Sequence, residues 1–419
     1  MAANYSGKTM ARLLLLIPTT SYRVSDFLKA AGGLDVEITV GSNRRQVLEK
    51  YSQGQTVTLD FRNPERGTKQ IVDYARQRPL RAIVAVDDET TVLAAKASKA
   101  LGLSHNSPGS IGAAANKFRF RTVLTEAGLP SPGFTLVSLN DDPAEAANRV
   151  DFPCVLKPLA LSASRGVIRA DDLSAFAAAF YRIAKILKLP DAASQAGLHD
   201  YVLVEDYIPG TEVALEGLLD RGHLNVLALF DKPDPLEGPY FEETIYVTPS
   251  RLSATVQDAV TAMTARAVTA LGLHEGPVHV ELRINENGPV IIELAARSIG
   301  GLCSRVLRFG VGISLEEIIL RHALGLPIDS LKRDVMPSGV MMIPIPRAGR
   351  LRQVRGLEHA RSLPGIEDLT ITIPLGQEVI PLPEGSKYLG FIFARGGTPQ
   401  NVEDALRDAH SRLEFMIEA

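Results

Sequence analysis

Between residues 12 and 107 the sequence alternates short apolar runs with amphipathic stretches: "RLLLLIP", a helical pattern near 24–31, "VEITVG", a helical pattern near 43–51, "TVTLDF", "GTKQIVDYARQ", "RAIVAVDD" and "TTVLAAKASKALG". Strands of this kind, apolar on both faces and separated by helix-length connections, belong to a parallel sheet covered on both sides. The chain is therefore expected to be α/β, with a parallel sheet at its N-terminus. The loop after the first strand, "PTTSYR", lacks the glycines of G-x-G-x-x-G that let a backbone approach a pyrophosphate, so a dehydrogenase-type dinucleotide site is not expected there.

At 419 residues, 45% hydrophobic and 22% charged, the chain can bury a large core and is expected to divide into a few units: 1–115, 116–330 with a small lid at about 152–204, and 331–419. A net charge of -3 gives no general attraction for nucleic acid or anionic lipid, so neither is expected as a partner. Two cysteines far apart, Cys154 and Cys303, encode neither a disulfide framework nor a C-x-x-C metal site, and fit a reducing cytoplasm. The apolar run at 13–17 is too short for a secretory signal, and no run approaches the roughly 18 residues of a membrane span.

Beyond the first sheet, a helix is expected over about 111–127, ending at Gly128 and Pro130. "FPCVLKPLALSASRGVIRA" reads as strand, small-residue loop and strand, "DDLSAFAAAFYRIAKIL" as an amphipathic helix, and "YVLVEDYIPGTEVALEGLLD" with "HLNVLALFD" as further strands. Helices are also expected for "SATVQDAVTAMTARAVTALGL" and "SLEEIILRHALGL", and a terminal one for "NVEDALRDAHSRLEFMI".

The stretch "HVELRINENGPVIIELAAR", residues 279–297, reads as a hairpin with an acid in each arm. With a three-residue loop, Glu286, Asn287 and left-handed Gly288, Asn285 pairs with Pro289, and Val280, Leu282, Ile284, Val290, Ile292 and Leu294 form an apolar face. On the other face His279, Glu281 and Arg283 lie opposite Ala295, Glu293 and Ile291, which sets Glu281 and Glu293 about 4.5 to 5.5 Å apart at Cβ. Two like charges so placed require a cation, a shared proton or separation by water, and oxygen-only donors suit Mg²⁺. A register slip of one residue would instead send one glutamate to the other side.

"ANKFRFRTVLTEAGLPSPGF", "FPCVLKPLALSASRGV", "VEDYIPGTEVALEG", "GPVHVELRINENGPVIIELAAR" and the following "SIGG" occur in the order and spacing of the ATP-grasp superfamily, which the chain resembles over roughly residues 10–325. "GPYFEETIYVTPS" and the E-L-A-A-R ending look most like its carboxylate-amine ligase branch, the enzymes that join L-amino acids. The resemblance implies an ATP-grasp fold with an N-terminal Rossmann-like domain and a small C-terminal α+β domain.

It also implies roles. Lys117 and Lys157 would reach the nucleotide phosphates, and the loop with Ser162, Ser164 and Gly166 would cover them, although only Gly166 of the family's glycines remains. Backbone groups of Glu205, Asp206, Tyr207 and Ile208 would meet adenine, and Glu212 the ribose. Glu281 and Glu293 match the two metal carboxylates; an asparagine common two residues after the second acid is here Ala295. Arg297, with Lys157, is the expected catalytic cation, stabilising charge as an amine attacks an acyl phosphate. Substrate contacts fall to Glu243, Tyr246, His279, Arg297, Gly300, Gly301 and Arg305, with Tyr246 standing where related ligases carry histidine.

The implied reaction is ATP-dependent amide formation through an acyl phosphate, with ATP and Mg²⁺, or Mn²⁺ in its place, and small carboxylate and amine substrates; a homodimer enters by analogy. A carboxylase or purine-pathway type ligase on the same fold, and a non-catalytic nucleotide-binding module, are the alternative readings.

Overall fold

The computed structural model describes residues 11–44, 55–190, 192 and 198–419. The helical pattern near 43–51 lies, from residue 45 on, outside the described residues. Strands β1 (Arg12–Leu16), β2 (Glu37–Ser42), β3 (Thr56–Thr58) and β4 (Ala82–Ala85), with helices α1 (Val24–Gly32), α2 (Pro64–Gln77) and α3 (Asp88–Leu101), make a parallel sheet of order β3-β2-β1-β4. The leucine run explains itself here: Leu13 and Leu15 face one apolar layer while Leu14 and Leu16 face the other. Only a strand covered on both faces wants four leucines in a row.

The single helix expected over 111–127 is two: α4 (Pro108–Ala114) and α5 (Lys117–Glu126). Asn116 between them is extended and its side chain accepts a hydrogen bond from Arg119 N. An asparagine that caps the next helix competes with the helix it would otherwise continue. This break leaves Lys117 at the head of α5.

A small antiparallel sheet follows, of order β5-β8-β6-β7. It comprises β5 (Phe134–Ser138), helix α6 (Pro143–Ala147), β6 (Cys154–Pro158), β7 (Ile168–Ala170), helix α7 (Leu173–Leu187) and β8 (Tyr201–Asp206). Phe176, Phe180 and Ile183 of α7 cover one face of it.

The central sheet has eight strands in the order β13-β12-β9-β10-β11-β14-β18-β16. These and their neighbours are β9 (Thr211–Asp220), β10 (His223–Asp231), β11 (Ile245–Thr248), α8 (Ala254–Ala270), β12 (Gly276–Asn285), β13 (Gly288–Ala295), α9 (Leu315–Leu324) and β14 (Ser338–Ile343). The chain continues through β15 (Gly349–Arg355), α10 (Leu357–Arg361), β16 (Ile366–Ile371), β17 (Glu378–Val379), β18 (Gly390–Arg395), α11 (Pro399–Ser411) and β19 (Glu414–Glu418). Strands β14, β18 and β16 extend the central sheet, and β17-β15-β19 form a small one beside it. Among the described residues no helix is long and apolar enough to cross a membrane.

The terminal helix stops at Ser411, and "EFMIE" is strand, paired with β15. Phe415 and Ile417, two apart, both turn to the core, whereas Met416 between them is exposed. Period two overrides the preceding helical period.

The hairpin β12–β13 differs from expectation near its turn and agrees at its acids. The loop is two residues, Glu286 and Asn287, so Asn285 pairs with Gly288, Ile284 with Pro289 and Leu282 with Ile291. A bulge then absorbs Ile292, and Glu281 faces Glu293 after all. Ile291 enters the core and Ile292 lines a cavity, the reverse of the expected arrangement.

What holds the bulge is Arg121 of α5. Its guanidinium donates to the carbonyls of Ile291 and Ile292, both at 2.6 Å, and to both Glu205 oxygens at 2.7 and 3.2 Å. Only 1% of Arg121 is exposed. Replacing Arg121 by Met should cost about 3–5 kcal/mol, because a buried carboxylate and two carbonyls lose their donors. Arg121→Lys should recover only part, since an ammonium cannot span all four acceptors. Urea unfolding midpoints of the two variants check both statements.

Candidate active site

The site lies between the small antiparallel sheet and the central sheet. Each strand that reaches it delivers a charge from an otherwise apolar segment. Lys157, the fourth residue of β6, donates to Glu205 Oε2 of β8 at 2.5 Å, and both are buried. Burial pulls the Lys157 ammonium below the usual lysine range even though the carboxylate supports it. Burial pushes Glu205 up, but Arg121 and Lys157 outweigh it and hold the carboxyl at about 2.

A second buried cation gathers the acids. Lys232 Nζ, at the end of β10, lies 2.7 Å from Glu212 Oε1 and 3.5 Å from Glu281 Oε2, and it also pairs with Glu243. Arg283 Nε donates to the other Glu212 oxygen at 3.0 Å, and Arg283 lies over the Tyr207 ring. Glu212 is thus held between two cations. Burial and the Glu281 charge push Glu243 up to about 7, against the pull of Lys232. Glu281 goes the other way: burial opposes its charge, but Lys232 and His279 bring it well below the ordinary range.

His279 stands between Glu216 Oε2 at 3.1 Å and Glu281 Oε1 at 3.5 Å, and although burial disfavours its charge these two acids raise it to about 9. Glu216 also accepts from the Ile299 N–H, which anchors the "SIGG" segment. Glu293 receives Lys117 Nζ at 3.1 Å; the same ammonium donates to the Leu161 carbonyl. Arg297 pairs with Asp88 Oδ2 at 2.6 Å, across the gap to the N-terminus of α3.

Two cavities meet here. One, of about 660 Å³, is lined by Lys117, Lys157, Ser164, Glu205, Asp206, Tyr207, Ile208, Glu212, Ile292 and Arg283 among others. The other, a cleft of about 1410 Å³ toward the N-terminal unit, is lined by Ser162, Ser164, Tyr246, His279, Arg297, Gly300 and Gly301. Glu243, Glu281, Glu293 and Ser164 line both.

Two expected residues stand elsewhere. Arg305 lines neither cavity and is clamped by both oxygens of Asp26, at 2.9 and 3.1 Å. Gly166 is also outside them, and its N–H donates to the Pro383 carbonyl. Within the intervening loop Ala163 and Ser164 adopt left-handed φ of 55° and 53°, strained for side-chain-bearing residues. At the end of β8, Tyr207 N–H donates to the Pro153 carbonyl and Gly133 N–H to the Asp206 carboxylate.

Sequence reasoning missed Lys232, Arg283, Arg121, Glu216 and Asp88. Lys232 left a signal, since "LALFDKP" repeats the pattern of "CVLKP", an apolar strand ending in Lys-Pro. The others could be found only from pairing across the sheets.

The fold that carries this acid-lined double cavity is the ATP-grasp fold. The ATP-grasp domain model matches residues 150–306, its N-terminal domain model 28–105, and the L-amino acid ligase C-terminal domain 2 model 341–418. Within that class the chain resembles the L-amino acid ligases. The crystal structure of the L-amino acid ligase from Bacillus licheniformis superposes with a TM-score of 0.79 at 22% identity, covering 98% of this chain and 99% of that one. Alanine–anticapsin ligase of Bacillus subtilis (strain 168) is 26% identical over 275 residues, 62% of this chain and 58% of its own length. Dapdiamide A synthase of Enterobacter agglomerans is 28% identical over 251 residues, 58% of each. The chain spans about three fifths of the length of the curated relatives it matches.

The lowered Glu205 value has a consequence for stability. Its ionised form stabilises the fold fully above about 4.5, the ordinary value, and that contribution drains away as pH falls toward about 2. The stability difference between the natural protein and Glu205→Gln should therefore be constant at neutral pH and shrink on acidification through pH 4.5, as read by denaturant unfolding at a series of pH values.

Proposed function

We propose that the protein is an ATP-dependent carboxylate-amine ligase that forms an amide or peptide bond, most plainly with an amino acid as a substrate, and releases ADP and phosphate. The observation that carries this reading is the meeting of the two cavities at Glu243, Glu281, Glu293 and Ser164, where a phosphate donor on one side and a carboxylate on the other would come into reach.

In this reading ATP occupies the cavity with Tyr207, Ile208 and Glu212, its phosphates extending toward Lys117, Lys157 and the loop 162–166. Glu281 and Glu293 fit a hard cation: they are directly opposed, partly exposed oxygen donors, and Ala295 adds none. They would hold Mg²⁺, or Mn²⁺ in its place, which when bound neutralises charge on the transferring phosphate. Phosphoryl transfer needs positioning and charge compensation rather than a protein nucleophile. The buried thiols agree, since burial pushes Cys154 up to about 12 and raises Cys303, which lines the cleft, as well.

Transfer of the γ-phosphoryl group to a carboxylate gives an acyl phosphate; attack by an amine then expels phosphate. Arg297 borders the same cleft and remains positively charged, so it stabilises the oxyanion of that attack. Asp88 orients it. The loop 162–166 excludes water that would hydrolyse the acyl phosphate. By the same likeness the setting is cytoplasmic, and a homodimer is the analogous assembly.

Coupled ADP release with a panel of amino acids tests the reading. Amine-dependent ADP formation is expected, and AMP in its place would reject an acyl phosphate. Arg297→Ala should lower kcat by about 10²–10³. Glu281→Gln and Glu293→Gln should each abolish ADP release, and Glu281→Gln should also lower the thermal transition, because buried Lys232 and His279 lose a partner.

A further inference from the structure

The segment 381–388 lies far along the chain from the acids of the site, yet it enters the cleft. Two of its backbone carbonyls are tied to the loop over the phosphates: Gly166 N–H donates to Pro383 O at 2.9 Å and Arg165 Nε to Glu384 O at 2.8 Å. The Glu384 carboxylate is gripped by Arg182 of α7, with Nη2 donating at 2.9 Å. Gly385 then turns so tightly that a Cβ would lie 1.9 Å from the Ile380 carbonyl oxygen. At the far end Leu389 N–H donates to Ile343 O. Ser386, Lys387 and Tyr388 are presented to the cleft between these fixed points.

Four cationic side chains line that cleft among the described residues: Arg23, His279, Arg297 and Lys387. Three are committed. Arg23 pairs with Glu316, His279 with Glu216 and Glu281, and Arg297 with Asp88. Of these four, Lys387 alone has no carboxylate within 4.0 Å among the described residues. The same cleft carries Asp87, Asp88 and Glu89, whose charges oppose entry of an anion.

Resting on the ligase reading, we infer that Lys387 binds the free α-carboxylate of the amine-donating amino acid and so sets the acceptor site's preference for a charged over an amidated acceptor. When two amino acids are joined, one carboxylate becomes the acyl phosphate and the other keeps its charge. The second must be carried past the acids, and an ammonium on an anchored segment provides the counter-charge. Arg297 is left to the reacting carbonyl.

The test compares an acceptor amino acid with its own carboxamide, the acyl-donating amino acid and ATP being kept the same, in the full-length protein. In Lys387→Ala the ratio of kcat/KM for the amino acid to that for its amide should fall about tenfold, chiefly through KM, and Lys387→Arg should restore most of it. Lys387→Glu should invert the preference toward the amide. An unchanged ratio in Lys387→Ala, or equal losses toward both acceptors, overturns the assignment while the ligase reading stands. Amide formation with neither acceptor by the natural protein overturns the ligase reading and the assignment with it.

Discussion

Everything in the site hangs from a guanidinium that water cannot reach. Arg121 has a bidentate carboxylate on one side and two carbonyls on the other, all within hydrogen-bond distance. Those carbonyls belong to Ile291 and Ile292, where β13 carries one residue more than its partner strand. Without the extra residue the pairing beyond Leu282 would run one step out, and Glu293 would turn to the other side of the sheet. A single buried side chain therefore sets the face on which the second acid appears. It also joins that acid to Glu205 and, through it, to Lys157.

The site then obeys a charge balance. Its acids are numerous, and each is answered by at least one cation: Glu212 by Lys232 and Arg283, Glu281 by Lys232 and His279, Glu293 by Lys117. Lys232 attracts three carboxylates at once, yet burial and the Glu281 charge still push Glu243 up to about 7. Removing any one member leaves its neighbours paying desolvation without a partner. Such a cluster is held rigid by its own pairs, which fixes the walls of both cavities.

Much of this was legible in the sequence, for stated reasons. Parallel strands announce themselves through apolar runs such as Leu13 to Leu16, and motif order points to the ATP-grasp fold. The opposed glutamates were found by counting from a turn that was wrong by one residue, and the bulge at Ile292 undid the error. Nothing in "GPVIIELA" distinguishes Ile291 from Ile292, because the choice between them is made by Arg121, 170 positions away. The same limit applies to Asp88 and Glu216, whose importance lies in partners from other elements. Helix ends failed where a local signal was outvoted: Asn116 split one helix by capping, and Phe415 with Ile417 turned the chain's end into strand.

The central sheet does not stop where the ATP-grasp motifs do. Strand β11 is flanked by β10 on one side and by β14 on the other, so the last 80-odd residues supply hydrogen bonds to the middle of the molecule rather than an appendage. A chain cut short before β14 would bare the polar edge of residues 245–248 beside the acids, an invitation to pair with another molecule. Shortening of such a chain is thus opposed by its own tendency to aggregate.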